Sequence, residues 1–316
     1  MRTVIVPKVL TLDINKELKN LNYFSLGEVV KKNIFNENEE QIQVKIRFVK
    51  DPEEHAGEKM SNFSSYYKVG PGSILLTRKY AGITCKMLVK DLLSDSPEFY
   101  INKAYYKTIR FKVDNLYPPG VHIMDIIMLR MLKGKDLILH GASLKKKDSE
   151  GSFLILAPPD TGKTYTTYKL LELGYQFLGE DLSYYQHSTD SLMCVPFTST
   201  WGHHFSGNKR LADKIPFAEL FIENDKETVD DLFDKESVAE SARLDRIYLI
   251  EKDTKKSATK INSSDQLLKK INSIQRNEFS YYKNPLLRAF EYQNNIDIDK
   301  ISVSYTHLTL PTTPYV

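Results

Sequence analysis

Three consecutive residues near the middle of the chain, Gly162, Lys163 and Thr164, could bind the phosphate chain of a nucleotide. A nucleoside triphosphate needs backbone N–H groups at a helix N-terminus, an ammonium on its β and γ oxygens, and a hydroxyl on Mg²⁺. The three residues end the segment Ala157-x-x-x-x-Gly162-Lys163-Thr164, which has the spacing of a phosphate-binding loop. The predicted ATP-binding residues are Asp160, Thr161, Gly162, Lys163, Thr164 and Tyr165.

The elements on either side of this loop suit the motif. Residues 152–156 hold four successive apolar residues, as a strand buried on both faces does, and residues 163–173 have helical spacing that ends at Gly174. The motif departs from the common pattern at Ala157, which replaces a glycine, and at Asp160, whose carboxylate would repel a polyphosphate. A strand followed by the loop and a helix is the context that this motif requires.

Two acids and a histidine could complete a catalytic site. Glu180 and Asp181 follow a short strand and Gly179, which we expect to make the turn that brings both carboxylates to one side. His140 lies in an apolar strand, residues 137–144, that is predicted to form a hairpin with the strand before the loop. Alternatively, the two acids are a solvated turn and His140 is a core residue with satisfied hydrogen bonds.

The order and spacing of these parts resemble the HPr serine kinase/phosphorylase family, whose nucleotide fold is shared by the ATP-dependent phosphoenolpyruvate carboxykinases. The resemblance covers roughly residues 121–252 and rests on four matching segments. These are Leu139-His140-Gly141-Ala142, the phosphate-binding loop, the helix end at 171–174, and Leu178-Gly-Glu180-Asp181. The family usually has two aspartates where this chain has Glu180 and Asp181.

The resemblance implies a role for each candidate residue. Glu180 aligns with the general base, His140 with the neighbour of that base, and Asp181 with an acid associated with Mg²⁺, which Thr164 would also bind. Lys163 would hold the β and γ phosphates and act in catalysis. The N-terminal part looks more like that of stand-alone kinase relatives than that of the bifunctional enzymes.

Residues 1–118 are predicted to be a β-rich region that selects the phosphoryl acceptor. The segments 41–48, 73–76, 83–89 and 105–113 alternate polar and apolar residues and predict an antiparallel sheet. Tyrosine is frequent here, which fits either packing within the sheet or a peptide-binding face. Pro118-Pro119-Gly120 is the predicted boundary with the ATP-binding region, residues 119–302.

The composition excludes some functions. The net charge is +3, from 44 basic and 41 acidic residues that are well mixed, so the chain lacks the basic surface that nucleic-acid binding requires. No segment predicts a membrane span, and we expect a cytoplasmic protein. Cys85 and Cys194 lack metal-site spacing and are expected to be core residues. A homo-oligomer is left open.

Two later segments complete the interpretation. Residues 196–204, with His203 and His204, followed by Lys209 and Arg210, could line an acceptor site near the γ-phosphate. Residues 303–316 are expected to be an artefact, because 303–312 resemble the translation of a sequencing-library adapter, and the natural protein is expected to diverge at about Ser302.

The sequence therefore predicts an α/β fold with a phosphate-loop nucleotide domain of the HPr kinase/PEP carboxykinase type. The predicted function is an ATP- and Mg²⁺-dependent kinase that transfers phosphate to a hydroxyl of a protein, peptide or small molecule. The first alternative is a nucleotide-binding regulatory module that has lost catalysis. The second is an enzyme of the carboxykinase type.

Overall fold

Two mixed β-sheets with few helices make up the described part of the chain. The computed structural model describes residues 2–16, 35, 41–57, 60–80, 82–109, 126, 127, 130, 136–158, 161–198, 200, 201, 227–251, 261, 263–278 and 285–294. These residues form two compact units. The predicted α/β class is confirmed, and none of the described helices has the length and apolar character needed to cross a membrane.

The first unit is built on an eight-stranded sheet. Its strands are β1 (Arg2–Val6), β2 (Leu10–Ile14), β3 (Ile42–Phe48), β4 (Ser61–Asn62), β5 (Tyr67–Gly70), β6 (Ser73–Tyr80), β7 (Ile83–Lys90) and β8 (Glu98–Ile101). They lie in the order β1-β2-β3-β8-β7-β6-β5-β4. The prediction of a wholly antiparallel sheet is wrong, because β3 runs parallel to both β2 and β8. The long segments between these strands supply the crossovers that parallel pairing needs.

The segment predicted as a strand at 105–113 instead contributes to a helix, α1 (Lys103–Ile109); residues 110–113 lie outside the described part. Asn102 explains the difference, because its side-chain oxygen accepts a hydrogen bond from the Tyr105 N–H at 2.8 Å, as a helix N-cap does. The Asn102 amide also donates to the Thr84 carbonyl at 2.9 Å. Tyr105 is buried, so its apolar ring serves the packing of a helix rather than of a strand.

A network of ion pairs lies on the first sheet. The Lys86 ammonium is 2.8 Å from an Asp51 oxygen and 2.9 Å from a Glu53 oxygen, and Lys68 is 2.6 Å from the other Glu53 oxygen. The hydrogen bond from Lys86 lowers the pKa of Asp51, and those from Lys68 and Lys86 lower the pKa of Glu53. The network therefore favours the ionised form of both acids.

The first unit also takes in later parts of the chain. These are a two-stranded ribbon, β15 (Thr200–Trp201) with β16 (Glu227–Thr228), and the last described helix, α5 (Pro285–Asn294). Tyr292 of this helix contacts Phe63 with ring centroids 5.5 Å apart. The predicted boundary at residues 118–120 and the tail at 303–316 lie outside the described residues.

The second unit holds a seven-stranded sheet. Its strands are β9 (Leu137–Leu139), β10 (Ala142–Lys146), β11 (Gly151–Leu156), β12 (Tyr175–Gly179), β13 (Ser183–Gln186), β14 (Ser191–Met193) and β17 (Ser241–Leu249), and its helices are α2 (Lys163–Glu172), α3 (Val229–Leu232) and α4 (Ser264–Glu278). The order is β12-β10-β11-β17-β14-β13-β9, and only the β11–β17 pair is parallel among these strands. Both cysteines, Cys85 in β7 and Cys194 here, are buried as expected.

The predicted hairpin of β10 with β11 is confirmed. The preceding strand, however, is not continuous over 137–144 as predicted, because it breaks at His140 and Gly141. Its first part, β9, pairs with β13 at one end of the strand order, whereas β10 pairs with β11 and β12 near the other end. A break was not apparent in the sequence, because the apolar pattern runs through it.

The segment that pairs with β9 and β10, residues 175–186, is interrupted opposite the same break. Leu139 is opposite Ser183, Ser143 is opposite Gly179, and between them the Gly141 N–H donates to the Asp181 carbonyl at 3.2 Å. Residues 137–146 and 175–186 therefore form one antiparallel two-stranded ribbon, here called the bent ribbon, that is interrupted in its middle. The interruption places His140 opposite the two acids, Glu180 and Asp181.

Candidate functional site

The predicted phosphate-binding loop leaves the end of β11 and enters α2. Ala157 is fully buried, and the Thr161 hydroxyl donates to the Pro158 carbonyl at 2.6 Å, which closes the loop on itself. Gly162 precedes the helix with φ 93°, and a Cβ there would have no heavy atom within 4 Å. Glycine is therefore needed for its backbone conformation and not for space. Asp160, predicted to bind the nucleotide, lies outside the described residues.

The first turn of α2 supplies the N–H groups that an anion requires. The Thr166 N–H makes the first helical hydrogen bond, to the Gly162 carbonyl at 2.9 Å. The N–H groups of residues 163–165 come before it and have no acceptor within the helix. They point out of a helix end that carries partial positive charge, which is where phosphate groups bind in many proteins.

Lys163 forms a cluster with His140 and Asp181. Its ammonium is 2.6 Å from His140 Nε2 and 3.2 Å from Asp181 Oδ1, and both Lys163 and His140 are 8% exposed. An ammonium only donates, so His140 Nε2 must accept, and the neutral ring then carries its proton on Nδ1. That nitrogen is 3.4 Å from the same Asp181 oxygen. Asp181 is thus the counter-charge of a buried ammonium.

Thr164 and Glu180 form a second contact. The Thr164 hydroxyl donates to Glu180 Oε1 at 2.7 Å, and the Glu180 N–H donates to the Thr198 hydroxyl at 3.0 Å. Glu180 is 7% exposed, and burial raises the pKa of its carboxyl; the charge of Asp181 adds to this, while the Thr164 hydrogen bond opposes it. Glu180 therefore binds a proton more readily than an exposed glutamate does.

The turn between the two acids is made by Asp181 and not by Gly179, the residue that the sequence suggested. Asp181 has φ 68°, and the Leu182 N–H donates to the Glu180 carbonyl at 2.8 Å, which is a three-residue γ-turn. Such turns are rare and strained, and they occur at functional sites. Gly179 has a different role, because a Cβ there would lie 2.4 Å from the Leu182 carbonyl oxygen.

The structure brings five of the predicted residues together and pairs them in an unexpected way. The five are His140, Lys163, Thr164, Glu180 and Asp181. The sequence grouped Thr164 with Asp181, whereas in the structure Thr164 contacts Glu180, and Asp181 contacts Lys163. The candidate acceptor residues, His203, His204, Lys209 and Arg210, lie outside the described part of the chain.

Several residues that support the site were not found from the sequence. Thr198 holds the backbone of Glu180, and its hydroxyl in turn donates to the Val195 carbonyl at 2.8 Å. Ser183 donates to the Gly141 carbonyl at 3.1 Å and contacts the Ser143 hydroxyl at 3.0 Å, which ties the two breaks of the bent ribbon together. The one signal in the sequence was a pair of small polar residues, Ser143 and Ser183, within otherwise apolar strands.

The donor atoms fit a nucleotide-bound Mg²⁺ better than a metal site made by protein alone. Among the described residues, no group of three or more His, Cys, Asp or Glu side chains could hold a metal ion. Mg²⁺ in nucleotide sites is instead held by one or two carboxylates with the phosphates and water. A hydroxyl and two carboxylates, from Thr164, Glu180 and Asp181, are oxygen ligands of this kind.

The fold and the site define an α/β chain in which the loop between β11 and α2 faces a histidine and two acids of the bent ribbon. No protein-family model matches this chain, and neither does any curated protein.

Proposed function

We propose that the chain is an ATP-dependent phosphotransferase that moves the γ-phosphate of ATP to a hydroxyl group. The proposal includes the finer fold type, a nucleotide domain of the HPr kinase/PEP carboxykinase kind. The observation that carries it is the convergence, at the start of α2, of the Lys163–His140–Asp181 cluster with the Thr164–Glu180 contact. A phosphate loop, a counter-charge and a buried proton acceptor are the parts that phosphoryl transfer uses.

ATP would compete with His140 and Asp181 for the Lys163 ammonium. In the free protein the Lys163 ammonium is shared between His140 and Asp181. The β and γ phosphates would take over the role of anionic partner, while the N–H groups from Asp160 to Tyr165 bind the remaining oxygens. Because Asp181 is 66% exposed, its carboxylate can be solvated when Lys163 turns to the nucleotide.

In the transfer step Glu180 would act as the general base. A new bond forms between the acceptor oxygen and the γ-phosphorus, the bond from that phosphorus to the β,γ-bridging oxygen breaks, and ADP leaves. The acceptor proton passes to the Glu180 carboxylate, whose pKa is raised by burial and is thus closer to neutral pH, where a base works best. His140, which bridges Lys163 and Asp181, would keep both charges in position.

Mg²⁺ would be held by Thr164 and Asp181, while Glu180 would orient the Thr164 hydroxyl that it contacts. When bound it would neutralise charge on the β and γ phosphates. The acceptor is a hydroxyl of a protein, a peptide or a small molecule, which residues 1–118 are proposed to select. Neither nucleic acid nor a membrane is proposed as a partner, and the proposed compartment is the cytoplasm.

Binding and chemistry can be separated with three variants and one control. Lys163→Ala should abolish ATP binding in calorimetry as well as transfer of labelled γ-phosphate. Glu180→Gln should bind ATP nearly as well as the wild type but transfer phosphate about 10²-fold or more slowly. Asp181→Asn should raise the Mg²⁺ concentration needed for activity. Lys147→Ala, an exposed lysine in the turn between β10 and β11, should change neither property.

The outcomes distinguish this proposal from its alternatives. Unchanged transfer by Glu180→Gln would remove the proposed base. Wild-type protein that binds ATP without ever transferring phosphate would favour the regulatory module, for which the engagement of Lys163 by His140 and Asp181 is the supporting observation. ATP-dependent decarboxylation of a 2-oxo dicarboxylic acid, with transfer of the γ-phosphate to the resulting enol and release of CO2 and ADP, would favour the carboxykinase type.

A further inference from the structure

Tyr165 has a large exposed ring beside the phosphate-binding loop. It is the third residue of α2, directly after Lys163 and Thr164, and it is 57% exposed. The buried positions of the helix are Lys163, Thr167 and Leu171. Tyr168, by contrast, packs its ring against Phe233 with centroids 5.3 Å apart. The Tyr165 ring therefore does not belong to the face of α2 that contributes to the core.

The direction of this ring follows from helix geometry. Side chains of an α-helix lean toward its N-terminus and cover the turn before their own Cα. The ring of Tyr165 accordingly leans toward the loop that enters the helix. The Lys169 ammonium lies over the ring, 5.7 Å from its centroid, and is held there by a 2.7 Å ion pair with Glu172. Because the ring is 57% exposed, a planar group in solution can reach it.

We propose that the ring of Tyr165 stacks on the nucleobase of the bound triphosphate; this inference rests on the proposed function. If Lys163 holds the β and γ phosphates, the α-phosphate meets the remaining N–H groups of the first turn, which include that of Tyr165. The nucleoside then leaves the phosphate chain next to this residue. An aromatic ring is a sequence-tolerant partner for a base, because every base has a π-face.

The experiment compares two ligands that differ only in the nucleoside. Affinities for ATP and for inorganic tripolyphosphate, both with Mg²⁺, are measured by calorimetry on the full chain. Tyr165→Ala should weaken ATP binding by about 5- to 150-fold, the range given by base stacking, and leave tripolyphosphate binding unchanged. Tyr165→Phe should retain ATP affinity, and Leu173→Ala, at an exposed position directly after the opposite end of α2, should alter neither ligand.

Each other result would overturn the inference, and each would point to a different role for Tyr165. Equal weakening of both ligands by Tyr165→Ala would mean that the ring supports the loop, and no change for ATP would mean that it does not contact the base. Loss of ATP affinity in Tyr165→Phe would assign the effect to the hydroxyl. Wild-type protein that binds neither ligand would overturn the proposed function together with this inference, whereas the preceding outcomes leave the proposed function standing.

Discussion

Replacing Gly179 by alanine tests whether the bent ribbon controls the site. The added Cβ would lie 2.4 Å from the Leu182 carbonyl oxygen and 3.0 Å from the Ser143 hydroxyl. Ordinary contacts of a methyl group with an oxygen are close to 3.4 Å, so the backbone of Leu182 must move by roughly 1 Å. The γ-turn at Asp181 lies between these two residues and would open.

The expected loss of unfolding free energy in Gly179→Ala has two parts. Forcing a methyl group into a packed region costs about 1 to 3 kcal/mol. The moved turn also endangers the hydrogen bonds of Asp181 with Lys163 and with the Gly141 N–H, each worth about 1 kcal/mol. We therefore expect Gly179→Ala to lower the free energy of unfolding by about 2 to 4 kcal/mol and to weaken ATP binding as well.

The assay is urea unfolding together with calorimetric ATP titration, with Gly174→Ala as the matched control. Gly174 follows the far end of α2 with φ 86°, and a Cβ added there would have no heavy atom within 4 Å. Its replacement costs about 1 to 2 kcal/mol of backbone strain without touching the site. Gly179→Ala that keeps wild-type ATP affinity, or that is no less stable than the wild type, would refute the reasoning.

Three further predictions concern stability. The raised pKa of Glu180 means that the folded state holds its proton more tightly, so stability is lost as pH rises from the usual glutamate pKa through the raised one. Glu180→Gln in metal-free buffer should therefore be more stable than the wild type in urea at about pH 8 but not at about pH 4, while exposed Glu172→Gln should show no such gain. Lys86→Met should cost about 1 kcal/mol at neutral pH, since its partly exposed acid partners have lowered pKa values, and this cost should shrink below about pH 4 as they are protonated. Asn102→Ala should cost about 1 kcal/mol of unfolding free energy through loss of the α1 cap, whereas Asn102→Ser, which keeps an accepting oxygen at the N-cap without placing a carboxylate against the Thr84 carbonyl, should cost less; equal losses would contradict the capping role.

Local patterns were sufficient for much of the second unit. The apolar run at 153–156, the helix that follows Gly162 and the Gly174 stop are all formed, with Gly174 at φ 86° as a helix-ending residue requires. Strand β17 and helix α4 also follow local signals, since the Ser263 hydroxyl caps the start of α4 by accepting from the Gln266 N–H. In these segments the residue spacing and the end signals agree, so tertiary contacts have little to override.

Contacts between distant segments were not predictable in the same way. The break at His140 and Gly141 depends on a hydrogen bond to Asp181, which is set by the register of the bent ribbon. Likewise α1 replaced a predicted strand because Asn102 could cap it while also binding Thr84. The residues that the sequence singled out do lie together, but the side chain that meets Thr164 was decided by a γ-turn that no local pattern indicated.

The parallel pairing of β11 with β17 has a consequence for how the protein is made. The Ser152 hydroxyl of β11 donates to the carbonyl of Ala242, 90 residues away in the chain. During synthesis β11, which leads into the predicted phosphate-binding loop, gains its second neighbouring strand only after β17 has emerged. Pairings of such long sequence separation fold slowly. The loop should therefore acquire its final shape late, and nascent chains that stop before residue 241 should be protease-sensitive at the loop.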